Sequence, residues 1–244
     1  MSNIDIQISG TWPASQSFIT TALVNNIANS FIEMAGQTTF PKLLVVNEPS
    51  RDCPMANFEK VGDRTIIFLC SNSGGLWSKI AYQLSHELCH VHANFAEQRG
   101  HTFKWLEESF CELSSFCNML KMSRDWEQQA PLPFMQSYYP SLNEYVQNML
   151  ERITKPEQFT DWLNSNFESL KADSCIREKN SIIALQLMPL FIKDNKAWKA
   201  VGYINNWAVS AEDTLSDYVN AWETVCPEDL KQTVKEIGSI LGVQ

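Results

Sequence analysis

The chain spells His86-Glu87-Leu88-Cys89-His90, and this pentapeptide restricts its own conformation more than any other stretch does. Two imidazoles four residues apart meet on one side of an α-helix but stand about 13 Å apart along a strand, so they form a metal chelate only on helical backbone. The flanks supply that helix. Leu76, Ile80, Leu84 and Leu88 make an i, i+4 apolar stripe, and a helix is predicted over about 76–95. Both rings can then reach one ion at about 2.0 Å from each nitrogen. Glu87, next to the first histidine, leans over the open side of such an ion, where it accepts a proton from a water that attacks a carbonyl.

Two histidines do not complete a catalytic metal site. The chain has only two more, His92 and His101, and both read as helix-end or surface residues, His92 being out of line with the 86/90 face. The next predicted helix, 103–126, carries WLEESFCELSS at 105–115 and offers Glu107, Glu108 and Glu112. Glu108 is the favoured third ligand. Glu112, four residues on and on the same face, is placed to accept a hydrogen bond from a ligand imidazole and so fix its orientation. Glu107, Cys111 and Cys89 are the alternatives, because sites of two histidines and one cysteine also bind zinc.

HExxH, a connection, and a helix with a glutamate and a further carboxylate four positions later resemble the glutamate zincins, the thermolysin-like metallopeptidases. Their second motif reads NExxSD, and here Glu107-Glu108-Ser109-Phe110-Cys111-Glu112 stands in its place. Glu108 matches the ligand and Glu112 the acidic residue behind it, while Glu107 and Cys111 depart from the pattern. The chain also looks somewhat like small bacterial proteins of the ImmA/IrrE kind, without a helix-turn-helix beside the motif. The likeness covers 65–120. It implies an α+β fold: a zincin-like N-terminal part with a small sheet and the HExxH helix, then a mainly helical C-terminal part. It implies one Zn2+ per chain on His86, His90 and Glu108, with water in the fourth position and Glu87 as general base. It also implies that the strand before the HExxH helix, 65–70, pairs with an extended substrate. The family uses a downstream histidine or tyrosine for the oxyanion. No histidine follows His101, so a tyrosine is expected there, Tyr139 ahead of Tyr138 and Tyr203.

The remaining pattern agrees with that division. IDIQIS at 4–9, the LLVV run within 41–50 and TIIFLC at 65–70 read as strands, and 13–34 as a helix ended by Gly36. Ser71 to Gly75 reads as a tight strand-to-helix turn, and Glu97 to His101 as a second turn. Beyond 129–141, which holds three prolines, only helical periodicity is found, over 142–153, 157–171, 177–192, 195–206, 211–224 and 227–240. A metal-binding α+β domain over 1–128 and a helical domain or extension over 129–244 that closes a cleft are expected.

Net charge is -9, with no basic patch, which argues against a nucleic-acid partner. Seven cysteines, an odd number without framework spacing, point to a reducing compartment. The N-terminus lacks the pattern of a secretory signal, and the longest apolar run, 181–192, is too short for a bilayer. The expected protein is therefore cytoplasmic, acting on a peptide or protein substrate with no membrane partner, its homo-oligomerisation open. The competing reading is a metal-stabilised binding or regulatory protein without turnover.

Overall fold

A computed structural model describes residues 4–12, 16–72, 76–95 and 102–243. The chain divides into two compact units, one of 1–91 with 114–150 and the other of 92–113 with 151–244.

The first unit is built on a four-stranded sheet in the order β1-β2-β4-β3. The strands β1 (Ile6–Gly10), β2 (Leu43–Asn47) and β4 (Arg64–Leu69) run parallel, and β3 (Met55–Val61) is the antiparallel edge. The helix α1 (Ser17–Ala35) connects β1 to β2 and buries Leu23, Val24, Ile27, Phe31 and Ile32. It stops at Gly36, whose φ of 63° lets its N–H and that of Gln37 turn back onto Glu33 and Ile32 carbonyls. Buried Asn47 ties the strand ends together: its amide nitrogen donates to the carbonyls of Thr11 and Ser71, and its oxygen accepts from Ser71 N–H. Gly10 lies so close that a Cβ there would fall 2.2 Å from the Asn47 carbonyl oxygen.

The helix carrying the motif, α2 (Trp77–His92), buries Ile80, Leu84 and Leu88 of the expected stripe together with Ala81 and Cys89, whereas Leu76 lies just ahead of it and is exposed. Two side chains on its first turns lock it to the end of β4. Gln83 accepts from Cys70 N–H at 3.2 Å and donates to its sulfur, and Lys79 Nζ donates to the Cys70 carbonyl. The chain leaves the helix at Asn94, in the left-handed region at φ 52°. The following helix, α3 (Lys104–Gln128), is continuous across both units. In the first unit its polar small residues hydrogen-bond α2 at close range. Ser114 Oγ donates to the Ser85 carbonyl at 2.8 Å and Ser115 Oγ to the Tyr82 carbonyl at 2.9 Å, while Asn118 Nδ2 reaches Ser85 Oγ at 2.8 Å. These bonds fix an antiparallel register. The unit closes with a 3-10 turn, Pro133–Tyr138, and α4 (Tyr139–Leu150).

The second unit is helical: the start of α3 with α5 (Phe159–Ala172), α6 (Arg177–Lys193), α7 (Lys196–Val201), α8 (Leu215–Val225) and α9 (Glu228–Ile240). Its core is aromatic. Trp105, Phe110, Trp198, Tyr218 and Trp222 are fully buried, with Phe110 packed between Phe191 and Trp222.

The fold class agrees with expectation: a small mixed sheet, the HExxH helix, and then helices alone. One strand assignment is corrected. β4, the strand preceding α2, is flanked by β2 and β3, so it has no edge to offer a substrate. The outer strands are β1 and β3, and β3 is one the sequence did not reveal. The expected turns at 71–75 and 97–101 lie wholly or largely outside the described residues.

Candidate metal centre

His86 and His90 stand one turn apart on α2 with ring centroids 5.1 Å apart, as a zincin-type metallopeptidase motif requires. Among the described residues, the donors that converge are a nitrogen of each ring and the Cys111 sulfur, all within 4.8 Å of one another. Cys111 reaches them through the register set by Ser114 and Ser115, being one turn earlier on the same unbroken helix. Tetrahedral zinc with bonds of 2.0–2.3 Å spaces its donors about 3.5 Å apart, inside the 4.8 Å that bounds this group. Two imidazoles and a thiol are also the donor chemistry that zinc prefers. The cluster is compatible with a metalloenzyme.

Glu87 is buried beside the first of these histidines, and its Oε2 accepts from the Ala56 N–H of β3 at 2.6 Å. The motif glutamate is therefore held by the sheet and not left in solvent.

The other candidates are distributed as follows. Glu108 is half-buried on α3, one turn before Cys111, and is not among the grouped donors. Glu112, directly after Cys111, is buried and accepts a hydrogen bond from Ser181 Oγ at 2.8 Å. Glu107 is committed to other work in the second unit: it is fully buried, 2.5 Å from Lys104 Nζ, and accepts from Asn205 Nδ2 at 2.7 Å. Cys89 is buried on α2 and is not among the grouped donors. His92 is not on the surface. It ends α2 in the second unit, its Nε2 2.7 Å from the Trp198 carbonyl, and burial holds its imidazole below the ordinary histidine range. A Cβ on Gly202 would come 2.9 Å from that ring, so glycine makes the room.

Among the tyrosines, the Tyr138 phenol oxygen lies 3.2 Å from Ser78 Oγ and 3.3 Å from its N–H, at the start of α2. Tyr139, the expected oxyanion donor, is half-buried at the head of α4 with its carbonyl held by Ser123 Oγ. The sequence passed over Ala56, because no side-chain chemistry marks a backbone donor.

No family model matches the chain, and no curated protein or solved structure is found to match it. No helix among the described residues is long and apolar enough to cross a membrane.

Proposed function

We propose that the chain is a zinc-dependent hydrolase of the metallopeptidase type, acting on a peptide or protein in the reducing environment that its seven thiols suit. The carrying observation is the convergence of His86, His90 and Cys111 beside a buried Glu87. His86, His90 and Glu108 would hold one Zn2+, and Cys111 is the donor grouped with the two histidines. Glu108 stands one turn before Cys111 on the same helix, which supports this ligand set. Glu112, buried next to Cys111, supports a ligand imidazole from behind.

Zinc on three protein ligands keeps an open position, polarises a carbonyl and lowers the pKa of water toward neutrality. The protein's own groups do the rest. Glu87 accepts the proton of the attacking water and passes it to the leaving amine, one carboxylate serving first as base and then as acid. Its burial keeps bulk water from competing for that proton.

The second reading, a binding or regulatory protein that uses the metal for stability alone, is favoured by Cys111. If thiolate and Glu108 both bind, four protein donors close the site, as in structural zinc centres. Metal analysis of the purified full chain separates the two. The hydrolase reading expects one zinc per chain, lost in Glu108→Ala and kept in Cys111→Ala, with Glu87→Gln retaining zinc and losing hydrolysis of labelled casein. Zinc weakened in both ligand variants, in a wild type without turnover, establishes the closed site. A wild type that binds no metal after reconstitution removes both readings.

A further inference from the structure

The Ala56 N–H sits where an edge strand has a donor to spare. Ala56 is opposite Ile67 of β4, yet its N–H donates to Glu87 Oε2 at 2.6 Å, so this amide faces outward from β3 and not into the ladder. The ladder is regular through Ala56 and shifts register before Lys60. Such irregularities bend an edge strand and re-aim its groups, and they recur next to active sites. Both partners are buried, Glu87 at 3% and Ala56 at 5% exposure, so water does not replace the bond. A carboxylate accepting from a backbone N–H makes a bond roughly twice as strong as a neutral pair. A glutamate has three side-chain torsions, and here one rigid main-chain donor restrains its end.

We propose that the main-chain N–H of Ala56 is the positioning group for Glu87, presetting the carboxylate beside the histidine pair. The proposal rests on the hydrolase reading. The donor belongs to the backbone, so replacement of the Ala56 side chain leaves it in place, and only loss of the N–H removes it. The same bond occupies this outward slot of the β3 edge, so a chain pairing with that edge must use the neighbouring groups.

The test uses the zinc-loaded full chain. Ala56→Pro deletes the N–H at an edge position where proline is accepted because the amide is not spent in the ladder. Lactic acid incorporated at 56, which turns the amide into an ester, does the same without the ring, should proline fail to fold. Ala56→Gly keeps the N–H and is the control. With fluorescein-labelled casein, the two N–H deletions should lower kcat about tenfold to a hundredfold, the cost of a misplaced catalytic group. KM and zinc content should hold, and Ala56→Gly, which keeps the N–H, should lose clearly less kcat than either N–H deletion. Independently of turnover, Glu87→Ala should speed exchange of the Ala56 amide proton by about tenfold or more, the worth of a hydrogen bond to a charged group. Unchanged exchange in Glu87→Ala overturns the contact. Undiminished kcat in the ester variant of a chain that does hydrolyse casein overturns the positioning role alone. A wild type that holds zinc and hydrolyses nothing refutes the hydrolase reading and the positioning role with it.

Discussion

Lys104→Met should be among the most destabilising single changes on α3, although Lys104 lies outside the metal cluster. Its ammonium is 2.5 Å from Glu107 Oε1, and the Glu107 side chain is 0% exposed. Removing the lysine leaves a carboxylate that water cannot reach, supported by the Asn205 amide at 2.7 Å. Breaking one side of such a buried pair costs about 3–5 kcal/mol, which at about 2–4 °C per kcal/mol for a chain of this size lowers Tm by roughly 6–20 °C. Adding Glu107→Gln removes the buried charge while keeping an oxygen for Asn205, so the double variant should recover about 2–3 kcal/mol of the loss. Urea unfolding of wild type, both singles and the double gives the coupling directly. A Lys104→Met protein within about 1 kcal/mol of wild type, or a double variant no better than Lys104→Met, would refute this account of Glu107.

Thiol reactivity should divide by burial: Cys53 and Cys175 are exposed, whereas burial pushes Cys117 and Cys226 up to about 12. At pH 8, peptide mapping after brief alkylation should find the first two modified and the second two intact. Asp217 closes a capping box with Thr214 at the start of α8, and the hydroxyl and amide of Thr214 hold its carboxyl below 3.8. Its contribution is complete above the unfolded value of 3.8 and is lost as pH falls through the lower folded value. Asp217→Ala should therefore shift the urea midpoint at pH 7 and much less at pH 2, and equal shifts at both would contradict the linkage. Tyr139→Phe should lower kcat about tenfold to a thousandfold with zinc retained if its phenol serves the oxyanion, and an unaltered kcat would remove it from that role.

The part of the fold that repeats with a helical period was legible in the residues. Leu76, Ile80, Leu84 and Leu88 predicted α2 because a stripe four residues apart has one meaning, and the histidines inherited their common face from it. β3 was not legible. An edge strand that buries only Ala56 has no alternation to display, and Met55, Phe58 and Val61 remain exposed along it. The reading of 65–70 as the edge failed for a related reason, since sheet order is set by crossovers that local pattern does not encode. At the candidate metal centre, Glu108 was preferred from its place on the next helix and by likeness to a motif, whereas Cys111 is brought in by serine and asparagine bonds between α2 and α3. Those residues look like neutral surface composition until their partners are known. Glu107 looked like a possible ligand, and its real partners, Lys104 and Asn205, include one 98 residues away in the chain.

The anchors of α2 have a consequence for how metal comes and goes. Gln83 and Lys79 on Cys70, Ser78 near Tyr138, and Ser85 under Asn118 hold the helix by contacts in which no ion takes part. The two imidazoles are thus preset one turn apart, and an ion held there that let go of one ring would remain within reach of the other. Zinc should leave slowly even where equilibrium favours a competing chelator, and the emptied protein should keep its helical circular-dichroism signal, because stripping the ion removes none of the ties that hold α2 in place.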